Sequence, residues 1–215
     1  MAKVIEKCHE ATGHTSFICD FSPPRSGDSS VLQQADIAAD FISVAYNPGR
    51  AVRVNPAMLA AAIKQRSGKD VLFTLATRDM NRLALQSLLL GAQLQGLDNV
   101  VVVQGDPFSQ RDQEMVHEAG DLRPTGLIAS IVELNTGVDF RGSSLRSPTD
   151  FCVGATLDLS RGMENEARLA HRKVQAGAQF LMSQPIFDVQ DAARFLDAYA
   201  ASAGEPLTLP VFFGL

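Results

Sequence analysis

The feature that most constrains this chain is an alternation of short apolar runs with longer stretches of helical periodicity. Seven runs rich in Val, Phe and Leu read as strands: residues 16–21, 41–45, 71–77, 99–104, 151–156, 179–183 and 208–214. They are apolar on both faces, as parallel strands covered on both sides are. Helices fit between them. Pro56 opens one to about Arg66, Asp79 stands where a cap would start one to about Gln95, and Pro124 opens one through Leu134. Residues 164–176 and 189–202 read as two more, with Gly177 and Gly204 just past their ends.

Seven strands joined by crossovers allow an open doubly wound sheet or a β/α barrel. No GxGxxG follows the first strand, which argues against the dinucleotide-binding open sheet. The expected fold is therefore α/β, a (β/α)8 TIM-type barrel that is incomplete. About seven strands are present and the eighth β/α unit is missing, in 215 residues where such barrels use about 250. No break in composition marks a boundary, so residues 1–215 read as a single barrel domain lacking its carboxyl-terminal segment.

Composition narrows the partners. The net charge is -5 and the Lys and Arg residues are scattered, which argues against nucleic acid and against an anionic membrane surface. No stretch approaches the roughly 18 apolar residues that would span a bilayer, and the first ten residues do not resemble a signal peptide. Cys8, Cys19 and Cys152 form neither a CxxC pair nor a disulfide framework; Cys19 and Cys152 read as small apolar filler within strands. Cys8, His9 and His14 fit a metal site or a plain surface segment, and no second ligand pair follows, so no metal is expected. The expected compartment is cytoplasmic.

A barrel gathers its chemistry at the carboxyl ends of its strands. That rule singles out Asp20 with the turn 22–27, the Arg78–Asp79 segment, Gln104–Gly105–Asp106–Pro107, and Ser183–Gln184–Pro185. Each has an ordinary reading: Asp106 as a turn former, Asp79 as a helix cap, Gln184 as a partner for backbone groups. Their shared position gives them weight, and so does the long connection from Gln104 to about Leu122. Arg172 and Lys173 stand near a helix carboxyl terminus, which favours cations with or without a ligand.

Eight segments, in order and spacing, resemble the methylenetetrahydrofolate reductase family. They are 20–25, Arg78–Asp79–Met80–Asn81–Arg82, 85–92, Gly105–Asp106–Pro107, 134–139, 148–151, 173–178 and 183–188. The resemblance runs from about Ser16 to the last residue, and the Arg-Asp-x-Asn-Arg and Gly-Asp-Pro forms are most similar to the bifunctional and acetogen-type branch.

The resemblance implies a barrel holding FAD at its carboxyl face. NAD(P)H would reduce the flavin and give way to the folate, and methylenetetrahydrofolate would become methyltetrahydrofolate, the family's link to methionine biosynthesis. Asp20 falls where the family has a glutamate that protonates the folate amine; a carboxyl buried in the pocket would suit that role. Asp106 matches the aspartate near flavin and pterin, and Gln184 a glutamine that contacts substrate. Gly105, Arg172 and Lys173 match flavin-binding positions, the two cations suiting the diphosphate; Tyr46, Gln104, Thr156 and Glu166 align with further flavin contacts.

Three positions depart from the family. Asp20 is one methylene shorter than the glutamate, a change in reach of about an ångström. Gln104 stands where many members have arginine, and Thr74 where many have histidine. Two other readings stay open beside an oxidoreductase: a non-catalytic or partner-dependent barrel of the same family that binds flavin or folate, and a pterin-dependent methyltransferase. The open barrel edge is expected to make the chain a homo-oligomer or a partner subunit.

Overall fold

The computed structural model describes residues 2–10 and 15–215. Seven parallel strands form one sheet in strictly sequential order: β1 Ile18–Phe21, β2 Phe41–Val44, β3 Val71–Ala76, β4 Asn99–Val103, β5 Cys152–Leu157, β6 Phe180–Pro185 and β7 Val211–Gly214. All seven runs singled out in the sequence are strands, with no end displaced by more than three residues. The sheet curls into a nearly closed barrel covered by helices, an incomplete TIM barrel. Among the described residues β1 pairs with β2 alone and β7 with β6 alone.

The helices are α1 Val4–Glu10, α2 Pro56–Ser67, α3 Arg82–Leu94, α4 Gln110–Gln113, α5 Pro124–Asn135, α6 Met163–Gln175 and α7 Gln190–Ala203. Asn55 caps α2, its side chain accepting from the amides of Ala57 and Met58, with Pro56 in the first turn. The expected cap of α3 is corrected by two residues. Asn81, not Asp79, accepts from the Ala84 amide, because the Asp79 carboxylate is taken by Arg78.

Strand alternation sorts the core into two layers. Ile42, Val44, Phe73, Val100, Val102 and Val153 face the helices, while Phe41, Leu72, Val101, Cys152 and Phe180 fill the barrel interior. Cys152 is buried there, as its reading as apolar filler requires. Helix α1, which the sequence did not announce, closes the floor. Val4 packs into the inner layer, its amide donates to the Asn99 side chain, and Asn99 donates to the Ala2 carbonyl. Cys8 and His9 lie on α1, whereas His14 lies outside the described residues; no cluster of metal-ligating groups occurs among the described residues. Nor is any described helix long and apolar enough to cross a membrane.

Candidate active site at the carboxyl face

Above the apolar interior the inward positions become polar. Asp20, two residues beyond the inward Ile18, and Thr156, four beyond Cys152, stand at the top of their strands. A cleft at this face has a volume of about 560 Å3 and lies against the ends of β4, β5 and β6. Gln104, Gly105 and Asp106 form one wall, Thr156, Glu166 and Lys173 the next, and Gln184 the third. Ten positions were singled out as site residues, and these seven share one cavity.

The other three stand apart. Asp20 lies on β1, outside the cleft lining, and is exposed instead of buried in a pocket. The cause is its place on a strand with a neighbour on one side only. Tyr46 follows β2 and is half-buried beside Asp79. Arg172 is exposed on the outer surface of α6, lining a second groove with Arg161, Arg168 and His171.

Lys173 and Glu166 form a buried pair in the cleft wall. Their side chains are 6% and 3% exposed, and Lys173 Nζ lies 3.1 Å from Glu166 Oε1 while also donating to the Thr156 carbonyl. Burial pushes the Lys173 ammonium below its ordinary pKa, against the charge of Glu166, which works to raise it. Its charge is therefore largely spent inside the protein. The cations open to a ligand are Arg161 at the cleft mouth and Arg168 and Arg172 on the adjoining groove.

Arg78 supports the wall that carries Asp106. It is 7% exposed, and its guanidinium grips both oxygens of Asp79, donates to the Asp106 carbonyl and lies 4.1 Å over the Phe108 ring. Gly105 has φ +89, and a Cβ there would stand 3.2 Å from Arg78 Cβ, so the turn needs glycine on both counts.

Several lining residues carried no mark in the sequence reading. Asp158 accepts from the Ser160 amide and from Arg161 in a short turn after β5, bringing Arg161 to the cleft. Their position just past a strand's carboxyl end was the signal that could have found them. Phe187, 98% exposed after β6, also lines the cleft.

Fold and cleft together define a β/α-barrel protein with a polar carboxyl-face cavity, floored by an amino-terminal helix. Residues 5–215 match the model of the family described as methylenetetrahydrofolate reductase, and the chain belongs to that family. It is 26% identical over 202 residues to the 5,10-methylenetetrahydrofolate reductase of Salmonella typhimurium (strain LT2), covering 91% of this chain and 62% of that one. With the enzyme of the same name from Pectobacterium carotovorum it shares 24% identity over 205 residues, 90% of this chain and 62% of the other. It thus spans about three fifths of these relatives' length. Among solved structures, it is similar in fold to an uncharacterized Clostridium thermocellum protein that binds two copies of 5-methyl-5,6,7,8-tetrahydrofolic acid. The TM-score is 0.64 at 14% identity, over 93% of this chain and 65% of that one.

Proposed function

We propose that this chain carries the barrel of a flavin-dependent reductase that takes a hydride from NAD(P)H and delivers it to methylenetetrahydrofolate, giving methyltetrahydrofolate. The observation that carries the reading is the gathering of Gln104, Gly105, Asp106, Thr156, Glu166, Lys173 and Gln184 around one cavity of about 560 Å3. That volume falls in the range of cofactor sites. The Gly105 backbone, bare of a side chain at φ +89, lets a flat ring approach, and the exposed Arg161, Arg168 and Arg172 suit a diphosphate. These residues fit FAD, with one amendment: Lys173 would act by shaping the wall, since its charge is compensated by Glu166. Bound FAD would supply the hydride relay.

The chain's own residues bind, orient and protonate. Gln184 and Asp106 both line the cleft and would offer an amide and a carboxylate to the pterin edge. Asp20 would hold the proton given to the folate amine. Its exposure on β1 means that substrate, or a neighbouring strand, must cover it before the carboxyl can keep that proton near neutral pH. The same exposure favours a second reading, a family barrel that binds folate without turnover. Binding of a folate by the Clostridium protein of like fold accords with either.

The test is anaerobic. NAD(P)H should bleach the flavin band of the FAD-loaded chain, and methylenetetrahydrofolate should restore it. Asp20→Asn should spare the bleaching and stop the restoration, since only the second needs an acid. Folate binding without bleaching would select the second reading; no flavin uptake would sink the first.

A further inference from the structure

We infer that Arg78, locked by Asp79, is the positioning residue for the Gly105–Asp106–Pro107 wall of the cleft, and that its cationic side chain serves the loop and not a ligand. The loop runs from β4 to α5 with only the short helix α4 inside it. A segment of that length has little to hold it in one place. Every group of Arg78 bears on it or on the residue that locks Arg78. The backbone amide donates to the Gln104 carbonyl at 3.1 Å, and the backbone carbonyl accepts from the Ala119 amide at 2.8 Å, so the two ends of the loop are tied to one residue. The guanidinium reaches between them, donating to the Asp106 carbonyl and covering the Phe108 ring.

Asp79 is the second half of the device. Both its oxygens accept from Arg78, which fixes the plane of the guanidinium and compensates its charge. Tyr46 adjoins the same carboxylate and contributes a hydrogen bond to it. Tyr46, aligned in sequence with a flavin contact, thereby acts on the cleft through Asp79 and Arg78. A lysine could not replace the arginine, because a point ammonium lacks the planar fork that spans Asp79 and the Asp106 carbonyl at once.

Arg50 supplies a comparison within the same protein. It donates to the Pro107 carbonyl and lies 3.6 Å from Asp112, on the same loop, but it is exposed to solvent. Exposed contacts of this kind contribute little, whereas the Arg78 side chain is buried and its partner Asp79 is only partly exposed.

The inference rests on the flavin-reductase reading only for what the loop would hold; the clamp itself is tested without ligand. Amide hydrogen exchange is followed at Ala119 in the full chain, with the β5 amides as reference. Arg78→Lys and Asp79→Asn should each speed exchange at Ala119 by about tenfold or more while β5 is unchanged, and Arg50→Lys should change it less than twofold. The double variant Arg78→Lys/Asp79→Asn should be no worse than the more severe single one, since the two act as a unit. Should Arg78→Lys fail to fold, Asp79→Asn gives the same reading. Unchanged exchange at Ala119, an equal rise in β5, or an Arg50→Lys effect as large as that of Arg78→Lys overturns the proposal. A second arm titrates FAD: weaker binding in the clamp variants supports both readings. A parent chain that binds no FAD counts against the cofactor reading alone, because the exchange result stands without it.

Discussion

Lys173 and Glu166 stand seven residues apart on α6, two helical turns, so both side chains leave the same face and meet in the cleft wall. Removing one partner strands a buried charge, at a cost of about 3–5 kcal/mol. Lys173→Met is therefore expected to lower the unfolding midpoint in urea sharply, and Glu166→Leu/Lys173→Met to recover most of the loss. Failure of the double variant to recover would mean the pair is not the source of the cost. Gly154 makes a different point. A Cβ there would lie 2.3 Å from the Phe180 ring, within the barrel interior, where nothing can yield cheaply. Gly154→Ala should destabilise by about 1–3 kcal/mol in thermal melts; an unchanged melt would show that Phe180 can turn aside. Neither fact was legible in the sequence. Glu166 and Lys173 were marked as ligand positions because resemblance names residues but not their partners, and Gly154 was unremarked within an apolar run.

At the level of elements the sequence was more informative. Parallel strands buried on both faces leave unbroken apolar runs, so β1 to β7 were legible, and the proline and glycine boundaries placed α2, α5, α6 and α7 closely. Helix α1 escaped because seven residues carry too few turns to show a period. The start of α3 was misplaced because Asp79 is as good a cap as Asn81 by type, and only the position of Arg78 separates them. That difference has a pH consequence. Burial opposes the Asp79 charge, but hydrogen bonds from Arg78 and Tyr46 and the Arg78 charge outweigh it, holding the carboxyl below its ordinary 3.8. A depressed pKa gives stability that is present above the unfolded value and lost as pH falls through the folded one. The β3–α3 and β4–α5 loops should thus loosen below about pH 4, read as faster proteolysis of the 104–122 segment. In Asp79→Asn that acid step should vanish, the loop being loose throughout; a parent-like acid step would clear Asp79 of the role.

For the molecule as a whole, sequential order was legible and closure was not. Strand runs announce how many strands there are, but not how nearly the first and last approach one another. The outer strands β1 and β7 keep one edge each unpaired among the described residues, and Val211, Phe212 and Phe213 are only partly covered. Unpaired edges recruit other chains. Light scattering of this 215-residue chain at micromolar concentration should therefore report a mass above that of one copy. A monodisperse monomer would show the edges to be shielded.

The floor helix has a consequence for how the molecule is made. Each strand docks on the one synthesised just before it, so the sheet can grow as the chain leaves the ribosome. The first residues cannot keep that order. Ala2 bonds to Asp70, Val4 to Asn99 and Lys3 to Asp150, across separations of 68, 95 and 147 residues. These residues must wait, in turn, for the bases of β3, β4 and β5 to emerge, and the last of those bonds can form only after Asp150 has been made. This segment behaves as a latch thrown late, able to fasten only once four strands have been laid down and the base of the fifth has emerged.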